Sequence, residues 1–163
     1  MNQEYEEKMM EAYIGTPDRL LWYQKAFETF KMKCDKQPCW YWNSWAMAGG
    51  FWYFLYRKQM KIALTVLMVT LVAGVLIPIG LFPLAFVIMS VLTGGYGTYF
   101  VYSNYLDKKE EIEAVLSDDE RRVIAMSRLG GVNRWVIYAG LFALVSSVLI
   151  VVELFILAGK TPS

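Results

Sequence analysis

The sequence has no histidine, only two cysteines and five prolines among its 163 residues, and no surplus of either charge, since 16 lysines and arginines stand against 15 aspartates and glutamates. Without histidine, one chain cannot build a nucleophile-histidine pair, a zincin motif or a closed zinc site with nitrogen and sulfur ligands. A net charge of +1 gives no reason to expect a nucleic-acid partner. Charge is also missing locally, because nothing charged lies between Lys61 and Asp107. What the chain does have is apolar bulk: 56% of residues are hydrophobic, 16% are aromatic and the mean hydropathy is positive. That composition excludes a disordered tail, a collagenous segment and an ordinary water-soluble domain.

The 45 uncharged residues from Ile62 to Leu106 exceed one membrane crossing. A span needs about 20 residues at 1.5 Å rise to cross about 30 Å of hydrocarbon, so the run predicts two helices and a tight connection. Pro78-Ile79-Gly80-Leu81-Phe82-Pro83 supplies the connection, because proline disfavours helix before it and glycine accepts turn geometry. The first span is placed near Met60–Ile77 and the second near Pro83–Tyr102. A third begins at Trp135, runs uncharged to Val152 and continues past Glu153 to Ala158, with Asn133 as its expected N-cap. The aromatic stretch Cys39–Tyr56 is read as interfacial or half-inserted. Its tryptophans suit the headgroup zone, Gly49-Gly50 weakens a continuous helix, and Arg57, Lys58 and Lys61 follow at once.

Cations fall almost wholly on one side of this scheme. Arg57, Lys58 and Lys61 precede the first span, Lys108, Lys109, Arg121, Arg122, Arg128 and Arg134 separate the second from the third, and the hairpin tip has none. The positive-inside rule therefore puts the N-terminus in the cytoplasm and the C-terminus outside. The first 18 residues are acidic rather than basic, so no cleavable signal peptide is expected and the first span must direct insertion. The resulting order is a cytoplasmic amphipathic helical segment (1–38), a Trp-rich interfacial or half-inserted helix (39–58), a transmembrane hairpin (59–102), a charged cytoplasmic helical connector (103–134), a third transmembrane helix (135–158) and an outer tail (159–163).

Thr16-Pro17-Asp18 predicts a helix start with a capping hydroxyl, and Leu20, Tyr23, Phe27 and Phe30 then recur at helical spacing. That apolar face could lie on the inner leaflet, on the protein itself or on a partner. In the connector, Ser117 and Glu120 fit a capping box and Gly130-Gly131 a stop, which predicts a short helix near Asp118–Leu129. Cys34 and Cys39 lie on the side where thiols stay reduced and are expected as free structural cysteines, ahead of a redox pair or a metal site shared across a dimer.

Small residues repeat at intervals of four: Ser90, Gly94 and Thr98 in the second span, with Gly95 and Gly97 beside them, and Ala139, Ala143 and Ser147 in the third. Such stripes let helices approach closely in lipid, where the hydrophobic drive between them is absent. No ionisable residue lies near the middle of any span, which argues against ion-coupled transport. No catalytic constellation is recognisable, so no catalytic residue, cofactor or metal is expected.

The aromatic segment Trp42-Asn43-Ser44-Trp45-Ala46, followed by Gly50-Phe51-Trp52-Tyr53-Phe54-Leu55-Tyr56-Arg57-Lys58-Gln59-Met60, resembles the signature of small bacterial membrane proteins grouped as domain of unknown function 2628. Ile14-Gly15 with Tyr23, Lys25, Phe27 and Phe30 is similar to that family's opening, and Arg128-Leu129-Gly130-Gly131 to its R-x-G-G element. Met47 and Gly49 depart from it where the family often has phenylalanine. The resemblance implies a bacterial inner-membrane protein and carries no activity with it.

Together these readings predict an all-α integral membrane protein with three transmembrane helices plus N-terminal amphipathic and Trp-rich interfacial helices. Trp40, Trp42, Trp45, Trp52 and Tyr56 are its expected interfacial aromatics, and Arg57, Lys58, Lys61, Lys108, Lys109 and Arg134 set its topology. The expected role is a non-catalytic, multi-pass inner-membrane accessory or assembly subunit, whose partners are the lipid bilayer and a membrane protein complex or further copies of itself. The alternatives are a homo-oligomeric channel or passive transporter lined by Ser90, Gly94 and Thr98, and a membrane-surface lipid sensor.

Overall fold

The computed structural model describes residues 3–34, 37–78 and 80–158, and every regular element among them is helical. The order is α1 (Gln3–Ile14), α2 (Pro17–Lys33), α3 (Ser44–Gly49), α4 (Phe51–Tyr56), α5 (Met60–Leu76), α6 (Phe82–Val115), α7 (Asp119–Leu129) and α8 (Trp135–Ala158). Helices α1 to α7 belong to one compact unit, residues 1–132, and α8 to a second, residues 133–163. The expected outer tail, 159–163 with Lys160, lies outside the described residues, as does Ile79 of the hairpin connection.

No start or stop signal delimits the first helix within the helical segment expected over 1–38. Its stretch is rich in charge and buries only Met9, Tyr13 and Ile14, a narrow face that hydropathy alone does not separate from a solvated segment. Helix α2 starts where Thr16 is extended and Pro17, whose missing N–H would be unpaired at that position anyway, enters the first turn with Asp18. The capping hydroxyl expected of Thr16 is turned away, toward the Ile14 carbonyl at 3.5 Å. Tyr23, Ala26, Phe27 and Phe30 form the buried face, and α6 covers it: the Phe27 ring lies 5.0 Å from that of Tyr102, and Phe30 lies 5.7 Å from Tyr99. Each aromatic side chain so buried contributes about 1.5–3 kcal/mol. The amphipathic face is therefore committed to this chain.

After Lys33 the chain reverses. Cys34 and Cys39 come to 5.8 Å between Cα atoms and are joined in a disulfide, which corrects the expectation of free thiols. That expectation rested on compartment alone, whereas the reversal brings the two residues within the span a disulfide can bridge. Residues 39–43 then run extended, and the Trp-rich segment forms two short helices hinged at Gly50, whose φ of 49° a side chain would disfavour. The break falls at the glycine pair that weakens a continuous helix in the sequence.

Helix α6 is the axis of the first unit. Its 34 residues reach about 51 Å, without the boundary expected at Tyr102. The onset of charge at Asp107 marks no break, because Val101, Tyr105 and Ile112 keep a buried helical face across it and Lys109 is ion-paired with Glu6 and Glu113. Along α6 the environment changes abruptly. Leu84, Phe86, Val87, Ile88, Val91 and Leu92 are exposed, whereas Thr93, Gly94, Gly95, Gly97, Thr98 and Tyr99 are buried by the surrounding helices. Helix α7 begins from Asp118, whose carboxylate accepts the Glu120 N–H, and not from the Ser117 of the expected capping box; Gly130 ends it.

Two helices, α6 and α8, are long and apolar enough to cross a membrane. The 17 residues of α5 reach about 25 Å, short of the 30 Å of a typical hydrocarbon core. Along α5 the exposed side chains beyond Lys61 and Thr65 are nonetheless apolar, with Met60, Leu64, Met68, Leu71, Val72, Val75 and Leu76 all uncovered.

Closing a loop this short restricts the unfolded chain by about 2 kcal/mol. Reduction with dithiothreitol should therefore lower the denaturation midpoint of the detergent-solubilised protein by that equivalent, and the Cys34→Ser/Cys39→Ser variant should start lower and ignore the reductant. An equal midpoint with and without reductant would show that the bond does not hold the reversal.

Candidate functional site

The small-residue stripe of α6 is occupied from within the chain. The extended segment 40–43 lies across it, where the Tyr41 N–H donates to the Gly95 carbonyl at 2.8 Å and the Asn43 N–H to that of Gly94 at 2.9 Å. A helix carbonyl has a second lone pair, but side chains normally shield it. Here there are none. A methyl group added at Gly95 would sit 2.4 Å from the Trp40 ring, at Gly97 2.7 Å from the Ala46 methyl, and at Gly94 2.8 Å from the Met47 Cβ. Gly95 and Gly97, noted in the sequence only as neighbours of the stripe, make its tightest contacts.

Asn43 fixes this seam. It is buried, and its side-chain oxygen accepts the Trp45 and Ala46 N–H groups at 3.0 and 3.2 Å, which starts α3. Its amide donates to Tyr53 Oη at 3.1 Å and Thr98 Oγ1 at 3.3 Å, so every hydrogen-bonding position of the side chain is used. Tyr53 in turn shares a 2.9 Å hydrogen bond with Tyr23. Burial, then the neighbouring Tyr23, pushes the Tyr53 phenol well above its ordinary value, so it is a neutral hydrogen-bonding group at physiological pH.

Gly94 and Thr98 are both covered, while Ser90 is half-buried and its carbonyl accepts the Thr93 hydroxyl at 2.9 Å. In the separate α8 unit, Ala139 and Ala143 are half-buried and the exposed Ser147 bonds back to the Ala143 carbonyl at 2.8 Å. The expected interfacial aromatics divide. Trp40, Trp42 and Trp45 remain largely exposed, Trp45 at 67%, with the Trp40 and Trp42 rings stacked. Trp52 and Tyr56 are half-buried on α4. The exposed three form a ledge beside the point on α6 where apolar exposure ends.

The expected topology-setting cations have structural partners as well. Arg57 is buried, donates to the Ile14 carbonyl at 3.0 Å and lies 4.4 Å over the Tyr23 ring, where the aromatic face favours a cation. Lys58 donates to the Arg128 carbonyl at 3.3 Å and Lys108 to that of Leu129 at 2.7 Å. These carbonyls lie at the C-terminal ends of α1 and α7, where intrahelical donors run out and the dipole is negative. Lys61 and Arg134 are exposed, and Lys109 holds its two carboxylates.

The same corner joins two motifs read separately in the sequence. The Gly131 N–H donates to the Tyr13 carbonyl at 2.7 Å, and a methyl on Gly15 would meet the Gly131 Cα at 2.7 Å. Both glycines have positive φ, 60° and 75°. Ile14-Gly15 and Arg128-Leu129-Gly130-Gly131 are therefore two sides of one backbone contact.

A side chain at the seam should be resisted in proportion to what it meets. Gly97→Ala should cost about 1–3 kcal/mol through overpacking against Ala46, whereas Gly80→Ala, with open space around it, should stay within about 0.5 kcal/mol. Thermal unfolding in detergent compares them, and equal melting temperatures would refute the seam.

No family model matches the chain, and neither a curated protein nor a solved structure does.

Proposed function

We propose that the chain is a small, non-catalytic inner-membrane protein that serves as an accessory or assembly subunit of a larger membrane complex. The observation that carries the reading is the change along α6 between Leu92 and Thr93. On one side the helix and its neighbour α5 expose apolar side chains that water would not tolerate over such an area; on the other, the same helix is buried at the core of a cap formed with α1 to α4 and α7. Helix α8, taken alone, is apolar around its whole circumference. Such surfaces call for lipid or for other membrane helices. Membership of the family that the aromatic segment resembles belongs to this proposal.

In the proposed arrangement α5, α6 and α8 all cross, with the cap in the cytoplasm because almost every cation lies on its side. Cytoplasmic reductants would then open the Cys34–Cys39 bond, so the disulfide is the oxidised state of the pair. The channel alternative needs Gly94 and Thr98 on an open wall, and both are covered by the ledge. The lipid-sensor alternative keeps one specific support, the three exposed tryptophans.

Topology is tested by labelling with a membrane-impermeant maleimide in the cysteine-free background. Gly80→Cys should react in intact cells and Ser117→Cys only after permeabilisation. The reverse pattern would invert the scheme, and a Gly80→Cys that reacts only after the bilayer is dissolved would mean that α5 and the start of α6 dip into the membrane without crossing. The subunit role is tested by mass measurement after mild extraction with native lipid. Co-purification with a stoichiometric membrane partner is expected, and a solitary monomer would overturn the reading.

A further inference from the structure

We infer that Lys58 and Lys108 form a seat for the phosphate ester of an anionic membrane lipid at the root of the apolar hairpin. The inference rests on the membrane reading proposed above and adds a ligand to it.

Lys8, Lys109, Arg121 and Arg122 each have a carboxylate within ion-pair distance, on α1, α6 and α7. Among the described residues the cations of α2 have none, and neither do Lys58, Lys61, Lys108 and Arg128 around the turn between α4 and α5. Lys58 and Lys108 are bound to the carbonyls of consecutive residues, Arg128 and Leu129, and are close enough to repel each other, a repulsion that Glu111 offsets in part at Lys108, whose ammonium also lies over the Tyr13 ring. Each ammonium has three N–H donors and the carbonyl takes one. The end of α7 thus holds both ammonium groups from behind and leaves further donors on each for a shared acceptor. A phosphate ester oxygen pair satisfies two adjacent ammonium groups at once, and its charge relieves their repulsion.

A second observation points to the same side chain. Lys58 is the only described residue other than glycine with positive φ, at 56°. That conformation suits glycine or asparagine and is unfavourable for a long side chain. Glycine at this turn would remove the strain, so the ammonium group is what distinguishes the residue present from an easier one. Its location fits a headgroup. Lys58 and Lys61 flank Met60, the first exposed apolar residue of α5. Phosphates lie just outside the hydrocarbon, where basic side chains attract anionic lipid.

The test uses the full chain in nanodiscs of phosphatidylcholine alone and of phosphatidylcholine with phosphatidylglycerol, with co-released lipid counted by native mass spectrometry. The wild type should retain phosphatidylglycerol in preference to phosphatidylcholine, and the preference should weaken as salt rises. Lys58→Gly, which trades one carbonyl hydrogen bond for relief of the backbone strain, should still incorporate, its fold checked by thermal melting, yet lose about fivefold in that preference, as should Lys108→Gln. An unchanged preference in both variants would overturn the inference while leaving the membrane reading intact. Stabilisation of the wild type by inorganic phosphate equal to that by phosphatidylglycerol would also overturn it, since the seat would then take free phosphate. A chain that never enters a phosphatidylcholine disc would remove both readings.

Discussion

The molecule depends on a missing row of side chains. At Gly94, Gly95 and Gly97, α6 bares its backbone, and an extended segment comes close enough to donate two N–H groups to carbonyls already engaged in the helix. Everything on the ledge follows from that approach. Asn43 can reach Thr98 and Tyr53 only because its own backbone is anchored on Gly94, and α3 starts only because Asn43 is held there. In a lipid-facing context, small residues at intervals of four are usually read as a helix contact. In this chain they receive a strand-like segment and a single-turn helix instead.

The second organising feature is the turn after Tyr56. Arg57, Lys58 and, from across the unit, Lys108 each donate to a carbonyl at the end of a helix, so α1, α6 and α7 are tied to the entrance of α5. A simple tally of positive residues registers these three only as charge. Their geometry makes them the fastening between the cap and the hairpin, with Gly15 and Gly131 allowing the two backbones to meet at the same corner.

How much of this is readable from the residues alone depends on the range of the signal. The start of α2 at Pro17 and the stop of α7 at Gly130 rest on neighbouring residues, and the apolar runs are long enough to be unmistakable. Helix α1 is hidden because only three of its residues are buried. The continuity of α6 past Tyr102 is hidden because charge at Asp107 signals a way out of the membrane, which is a different matter from the end of a helix. The fit of Trp40 on Gly95, and of Ala46 on Gly97, joins positions about 50 residues apart and has no local trace. The disulfide has no signal in the compartment argument, which concerns the cell, whereas the chain reversal that brings Cys34 to Cys39 is a matter of local geometry.

An uninterrupted rod has no joint. Since α6 passes from its bare apolar stretch into the heart of the cap as one continuous helix with no proline after Pro83, a tilt of one half is carried to the other. With α6 crossing as proposed, a bilayer that thinned or thickened around the greasy half would change its slant, and the far end of a lever about 51 Å long would sweep the acidic and basic surface of the cap sideways.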